Sequence, residues 1–219
     1  MKLLLLLSLG LDLAWTLQDQ SQVPVQPGFS PEQVIGPWKT LKLASNDRSV
    51  IEEEGAYECF MTGIALLDNG NLNVSYFHRK DGKYVKEFYV AEKTDTPGRY
   101  TFDYHGKNYL TFVAVNEKYT IIDLENQRNR KPLIVMELHG RTEDAGQLGM
   151  VHYRRLTARR GILPSNIVDV SLKREPPFSV DPRHSGIVTV TPLEICAVGR
   201  MKGMANEMSV WGSAKLGLI

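Results

Sequence analysis

From Trp38 to His139 the chain runs through eight short segments rich in β-branched and aromatic residues: Trp38–Ala44, Tyr57–Leu66, Asn71–His78, Tyr84–Glu92, Arg99–Tyr104, Asn108–Val115, Tyr119–Glu125 and Leu133–His139. Turn chemistry separates most of them, as Asp68-Asn69-Gly70-Asn71, Asp81-Gly82, Thr96-Pro97-Gly98, His105-Gly106 and the polar run Asn126–Arg130. Gly takes positive φ without strain, and Asn and Asp tolerate it. Strands joined by short links pair antiparallel. Eight of them suffice to close a barrel that leaves no exposed edge and holds one small ligand. The pattern predicts an all-β fold, an eight-stranded antiparallel up-and-down barrel.

Beyond the eighth segment the period changes. Thr142 and Asp144 are helix-capping types, and Leu148, His152/Tyr153 and Leu156 recur at helical spacing. Arg154, Arg155, Arg159 and Arg160 crowd the second half, where cations suit the negative helix end, and Gly161 fits the stop. This one C-terminal α-helix is expected to bury its stripe against the outside of the barrel, with a short last strand at Ile167–Val170.

The ends differ in character. Lys2 precedes the run Leu3–Leu7, and the apolar stretch fades near Trp15. That is the make-up of a secretory signal peptide, taken here as 1–18, and it is too short to span a bilayer. An N-terminal arm over 19–35 carries Pro24, Pro27 and Pro31, the barrel and helix occupy 36–172, and 173–219 is expected to be a poorly ordered extension, with Val188-Thr189-Val190 as an isolated strand at most. The reading is a secreted, extracellular protein without membrane insertion. A net charge of +1 gives no electrostatic footprint for nucleic acid. Two cysteines, Cys59 and Cys196, cannot build a disulfide scaffold or a four-cysteine zinc site, and the five histidines show no metal-ligand spacing.

Gly36-Pro37-Trp38 opens the first strand. Leu43-Ala44-Ser45-Asn46 follows, then Glu92-Lys93-Thr94 before Pro97-Gly98, Leu138-His139-Gly140-Arg141, and Gly161-Ile162-Leu163 with Asn166-Ile167-Val168-Asp169. In this order, with eight strands and a terminal helix, the set resembles the lipocalins, in particular the branch of major urinary and odorant-binding proteins. The resemblance implies a carrier of a small hydrophobic molecule of the odorant, pheromone, fatty-acid or retinoid class, with no catalysis, cofactor or metal, as a monomer or weak dimer. It gives Gly36, Trp38 and Arg141 a structural role, the guanidinium stacking on the indole at the barrel floor. It also marks departures. The family's Thr-Asp-Tyr is here Asn116-Glu117-Lys118-Tyr119, and the cysteines of its common disulfide match Tyr84 and Thr157, which leaves the helix without a covalent tie.

Period-two alternation sorts the strand residues into inward and outward sets. Tyr57, Cys59 and Met61 point in, with Ile64 joining after a shift near Gly63. Leu72, Val74, Tyr76 and Tyr89 follow, then Phe102, Tyr104 and Leu110, then Ile122, Leu124 and Val135. The expected pocket is apolar and aromatic with a few hydroxyls, the make-up that binds a hydrophobic molecule and orients its polar group; a barrel filled by its own side chains is the alternative. The same register turns Glu87 and Glu137 inward, with His139 near an end. Either the carboxylates meet a ligand's polar end, or a bulge or the barrel end takes them out to solvent, and the second is the expectation.

Asn73-Val74-Ser75 is a glycosylation sequon on an outward position. Cys59 falls where a prostaglandin D synthase-like isomerase in this family keeps its reactive thiol, with Thr40 as a supporting hydroxyl. Met61 and Tyr76 replace two other polar positions of that site, so a core cysteine is the expected role. A destabilised lipocalin with little function is a third alternative.

Overall fold

The computed structural model describes residues 23–128, 131–142 and 144–171. The expected signal peptide, the whole of the expected extension and Cys196 lie outside the described residues.

The segment that closes the sheet is also the one that opens it. Gly36–Pro37 (β1) pairs antiparallel with Cys59–Leu66 (β3), whereas Lys39–Ser45 (β2) pairs with Leu133–Gly140 (β9). Trp38 links the two halves, and its N–H bonds to the Thr62 carbonyl at 3.1 Å. One stretch of chain therefore holds both edges of the meander. Between them run Leu72–Lys80 (β4), Lys83–Lys93 (β5), Arg99–Asp103 (β6), Lys107–Val115 (β7) and Tyr119–Asn126 (β8), each bonded to the next. Ile167–Asp169 (β10) adds to the free flank of β2. The sheet has ten strands because the expected first strand divides around Trp38 and the short last one joins.

Local chemistry places the boundaries. Asp81 and Gly82 adopt φ of 51° and 73°, the two successive positive values of a tight hairpin whose twist matches its strands. Tyr57 does not start β3 as expected. Its N–H bonds to Val50 O, and Glu58 N–H to Gly55 O, so a turn holds the chain until Cys59. Tyr104 likewise lies just past the end of β6. The register shift expected near Gly63 is present, between Met61 and Gly63, and both Met61 and Ile64 are buried.

The helix Ala145–Arg159 (α1) rests on β8, β9 and β2. Its buried stripe is Ala145, Gly149, Tyr153, Leu156 and Thr157. Leu148, expected in that stripe, is half exposed. The reason is steric: a Cβ on Gly149 would lie 2.8 Å from Leu138 Cδ1, so the helix backbone sits directly on the sheet through its small residues. Tyr153, fully buried, donates its hydroxyl to Met136 O at 2.7 Å. Just past the helix, Arg160 Nε lies 2.8 Å from Asp123 Oδ2 and its Nη2 donates to Glu125 Oε2 at 2.6 Å. Burial pushes the Asp123 carboxyl up to about 6, against the pull of Arg160. Tyr84 is on β5, away from the strands under the helix, so a bridge between positions 84 and 157 has no counterpart in this geometry.

Inside the barrel two layers form. Trp38, Ile64, Leu72, Leu110, Phe112 and Ile122 pack together at the floor, and Leu43, Ile51, Tyr57, Tyr104, Leu124 and Val135 at the mouth.

Candidate functional site

Alternating side chains from six strands and the connecting loops converge between those layers on a cavity of about 40 Å³. Cys59 and Met61 of β3, Val74 and Tyr76 of β4, and Tyr89 of β5 form one wall. Phe102 and Tyr104, Leu124 and Glu137 form the other, and Ala56 and Tyr57 close the mouth. Along the seam β5 and β6 pair at Glu92↔Thr101 and Lys93↔Tyr100, while β5 runs on to Lys83. The Tyr89 and Phe102 rings, 4.3 Å apart, fill the opening so left.

The remaining predicted residues lie elsewhere. Ile64, Leu72, Leu110 and Ile122 belong to the floor layer and do not reach the wall. Val135 packs at the mouth beside Leu43 and Ile51, and His139 is fully buried behind Glu137. Period two finds which face a residue is on, but how far along the barrel axis the hollow extends depends on side-chain size in all strands together. Ala56 escaped the sequence reading because it sits in an irregular loop where no period operates.

The expected displacement of the two carboxylates does not occur. β8 and β9 pair residue for residue from Tyr119↔Gly140 to Asn126↔Leu133, and β4 and β5 do so from Leu72↔Ala91 to Lys80↔Lys83. The irregularity next to β9 falls on β2, between Thr40 and Lys42. Glu137 therefore stays on the cavity wall. Its Oε2 lies 2.8 Å from His139 Nε2, and His139 Nδ1 lies 3.1 Å from Thr40 Oγ1, which also accepts the Met61 N–H at 2.8 Å. Glu87 keeps its Oε2 3.3 Å from both the Tyr76 hydroxyl and His78 Nε2. A histidine two residues along or across the ladder is a signal that the sequence held and that pairing rules could have used.

The mouth is latched by two phenols. The Tyr57 and Tyr104 rings meet edge to face at 5.1 Å. Tyr104 donates to Ala56 O at 2.8 Å and Tyr57 to Asn108 Oδ1 at 3.1 Å. Burial raises the Tyr57 phenol well above its ordinary range, with Arg128 pulling the other way, so its hydroxyl acts as a neutral donor. Cys59 lies on the wall, but Thr40, its expected supporting hydroxyl, is engaged by Met61 and His139. Among the described residues no three His, Cys, Asp or Glu side chains converge as metal ligands would.

At the opposite end Arg141 Cζ stands 3.7 Å from the centre of the Trp38 ring, a cation–π contact. The guanidinium donates to Pro37 O at 2.9 Å and Ile35 O at 2.8 Å, and Trp38 Nε1 donates to Val34 O at 2.7 Å. A side chain at Gly36 would come within 3.1 Å of that guanidinium. The Trp38–Arg141 contact thus lies outside the cavity wall, while Met61 and Val74 belong both to the floor cluster and to that wall.

Residues 35–174 match the lipocalin / cytosolic fatty-acid binding protein family. The chain is 33% identical over 172 residues to a salivary lipocalin of Sus scrofa, covering 78% of this chain and 90% of that one. It is 32% identical over 173 residues to major urinary protein 20 of Mus musculus, covering 78% and 94%. Among solved structures, the possum milk whey lipocalin trichosurin with bound 4-ethylphenol aligns with a TM-score of 0.59 at 30% identity, covering 64% of this chain and 97% of that one. Sequence, strand order, barrel closure and the Trp38–Arg141 floor agree, and the chain belongs to the lipocalin family.

Proposed function

We propose that this lipocalin is a secreted carrier that holds one small hydrophobic molecule, of the odorant, pheromone, fatty-acid or retinoid class, in the hollow between floor and mouth. The observation that carries the reading is the wall itself: apolar and aromatic side chains surround one carboxylate and a few hydroxyls. That is the division of labour by which a pocket gains affinity from apolar area and orientation from sparse polar groups. Trichosurin, with its bound 4-ethylphenol, supports a small aromatic or aliphatic occupant. The hollow is small, so the ligand is slender or moves the mouth tyrosines as it binds. Asn73 lies on an outward, half-buried position of β4, where we place an N-linked glycan. The protein works as a monomer or weak dimer without catalysis.

Displacement of an uncharged apolar fluorophore from the purified protein tests this. Saturable displacement by fatty or odorant-like molecules at about micromolar concentration is expected, and no displacement by a broad panel refutes the carrier reading. The isomerase alternative predicts prostaglandin-endoperoxide turnover that vanishes in Cys59→Ala. Equal background rates in both proteins are expected, because Thr40 is engaged away from the thiol.

A further inference from the structure

The hydrogen-bond inventory around Glu137 goes further than a generic pocket. Thr40 Oγ1 accepts the Met61 N–H, and the acceptor within reach of its own hydroxyl hydrogen is His139 Nδ1. Where Thr40 donates to Nδ1, the imidazole is neutral and its Nε2–H donates to Glu137 Oε2. One oxygen of Glu137 then meets the imidazole, and Oε1 takes no hydrogen bond from the described residues. No lysine or arginine is on the cavity wall. The carboxylate is fixed in orientation by a buried histidine and faced by aromatic rings. An apolar enclosure makes such a charge costly until a cation meets it.

We propose, resting on the carrier reading, that Glu137 makes this barrel selective for small apolar amines, whose ammonium group it takes as a charge-assisted hydrogen bond while the hydrocarbon body fills the space between the Tyr76 and Phe102 walls. An alcohol of the same length offers a neutral donor, worth roughly half as much, and a carboxylic acid brings a second negative charge. His139 is a positioning residue in this scheme. It holds the Glu137 rotamer and touches no ligand atom. The aromatic faces add to the preference, since a cation near a ring is attracted by its quadrupole.

The test is a calorimetric titration of the full chain at neutral pH with hexylamine, 1-hexanol and hexanoate, which share one apolar body. The amine is expected to bind at least about tenfold tighter than the alcohol, with the acid weakest. In Glu137→Gln the amine and alcohol should come within about threefold of one another. His139→Phe, which leaves Glu137 charged but unsupported, should lower the amine preference without abolishing it. Equal or tighter binding of the alcohol by the unmodified protein overturns the proposal without any variant having to fold. An amine preference that survives in Glu137→Gln overturns it too. In both outcomes the carrier reading stands, because an apolar body is still bound. Failure of all three compounds and of an uncharged apolar fluorophore to bind removes the carrier reading and this proposal together.

Discussion

Tyr76 is the side chain whose removal best separates a ligand hollow from an ordinary core. It is buried at 2% exposure, its ring stands 5.8 Å from that of Tyr89 and 6.1 Å from that of His78, and it forms part of the wall of a cavity of about 40 Å³. Tyr76→Ala deletes about 100 Å³ of side chain, and at about 24 cal/mol per Å³ the unfilled space alone costs about 2.4 kcal/mol. The lost transfer free energy of the ring brings the total to about 3–5 kcal/mol. The enlarged hollow approaches the roughly 150 Å³ at which an engineered apolar cavity accepts benzene.

Two measurements follow from the same protein. Urea unfolding without ligand reads the loss. Unfolding with benzene at about 100 times its dissociation constant should then restore about 2.7 kcal/mol to the variant, and less to the unmodified protein, which must first displace side chains. A loss under about 1 kcal/mol would mean that neighbours collapse into the space and that the wall is not rigid. Full destabilisation with no benzene rescue would mean that the interior behaves as a solid core, and the argument from an apolar hollow would fall with it.

Three further outcomes are expected. Asp123 titrates at about 6 when folded against an ordinary carboxylate value of 3.8, so the folded state binds the proton more tightly and this group's contribution to stability falls as pH rises through that window; between pH 7.5 and 4.5 the unmodified protein should gain about 2 kcal/mol relative to Asp123→Asn, read from urea midpoints. Tyr153→Phe removes the buried hydroxyl's bond to Met136 O, which should cost about 0.5–1.5 kcal/mol and raise amide exchange along α1 before the rest of the barrel. Tyr104→Phe breaks the bond to Ala56 O at the mouth; ligand dissociation, followed by stopped-flow displacement, should quicken by about three- to tenfold, with a stability loss of about 0.5–1.5 kcal/mol.

Much of this barrel could be read from residues alone, because two periods and a few turn residues determine it. Alternation identified the inward set, and Gly63 marked the shift that lets Met61 and Ile64 both turn in. What escaped was whatever depends on depth or on contact between distant strands. Leu72 and Cys59 share an inward assignment, yet one lies in the floor layer and the other on the wall. Tyr57 kept its inward position although a turn, not a strand, holds it. Leu148 misled because helical spacing favours large apolar residues, while the sheet surface selected Gly149 for close approach. Glu137 misled for the opposite reason: an inward carboxylate looks too costly until the imidazole of His139, itself held by Thr40, is seen to meet it.

That last arrangement bears on how selectivity can arise in so small a hollow. The floor is fixed by Trp38 and by the bonds from Arg141 to Pro37 and Ile35, and nothing there yields to a ligand. The mouth tyrosines and the Tyr89–Phe102 pair, by contrast, are held by ring contacts and two hydroxyl bonds rather than by the backbone ladder. A wall made of movable rings discriminates poorly by shape, since apolar area rewards many bodies of similar size. Discrimination then falls to the part of the wall that is fixed in position and in charge. Glu137 meets both conditions, because β8 and β9 pair without a bulge around it and a buried histidine determines its orientation. On the proposal made here for Glu137, the head group of the ligand, rather than its outline, is what sets the selectivity of the barrel.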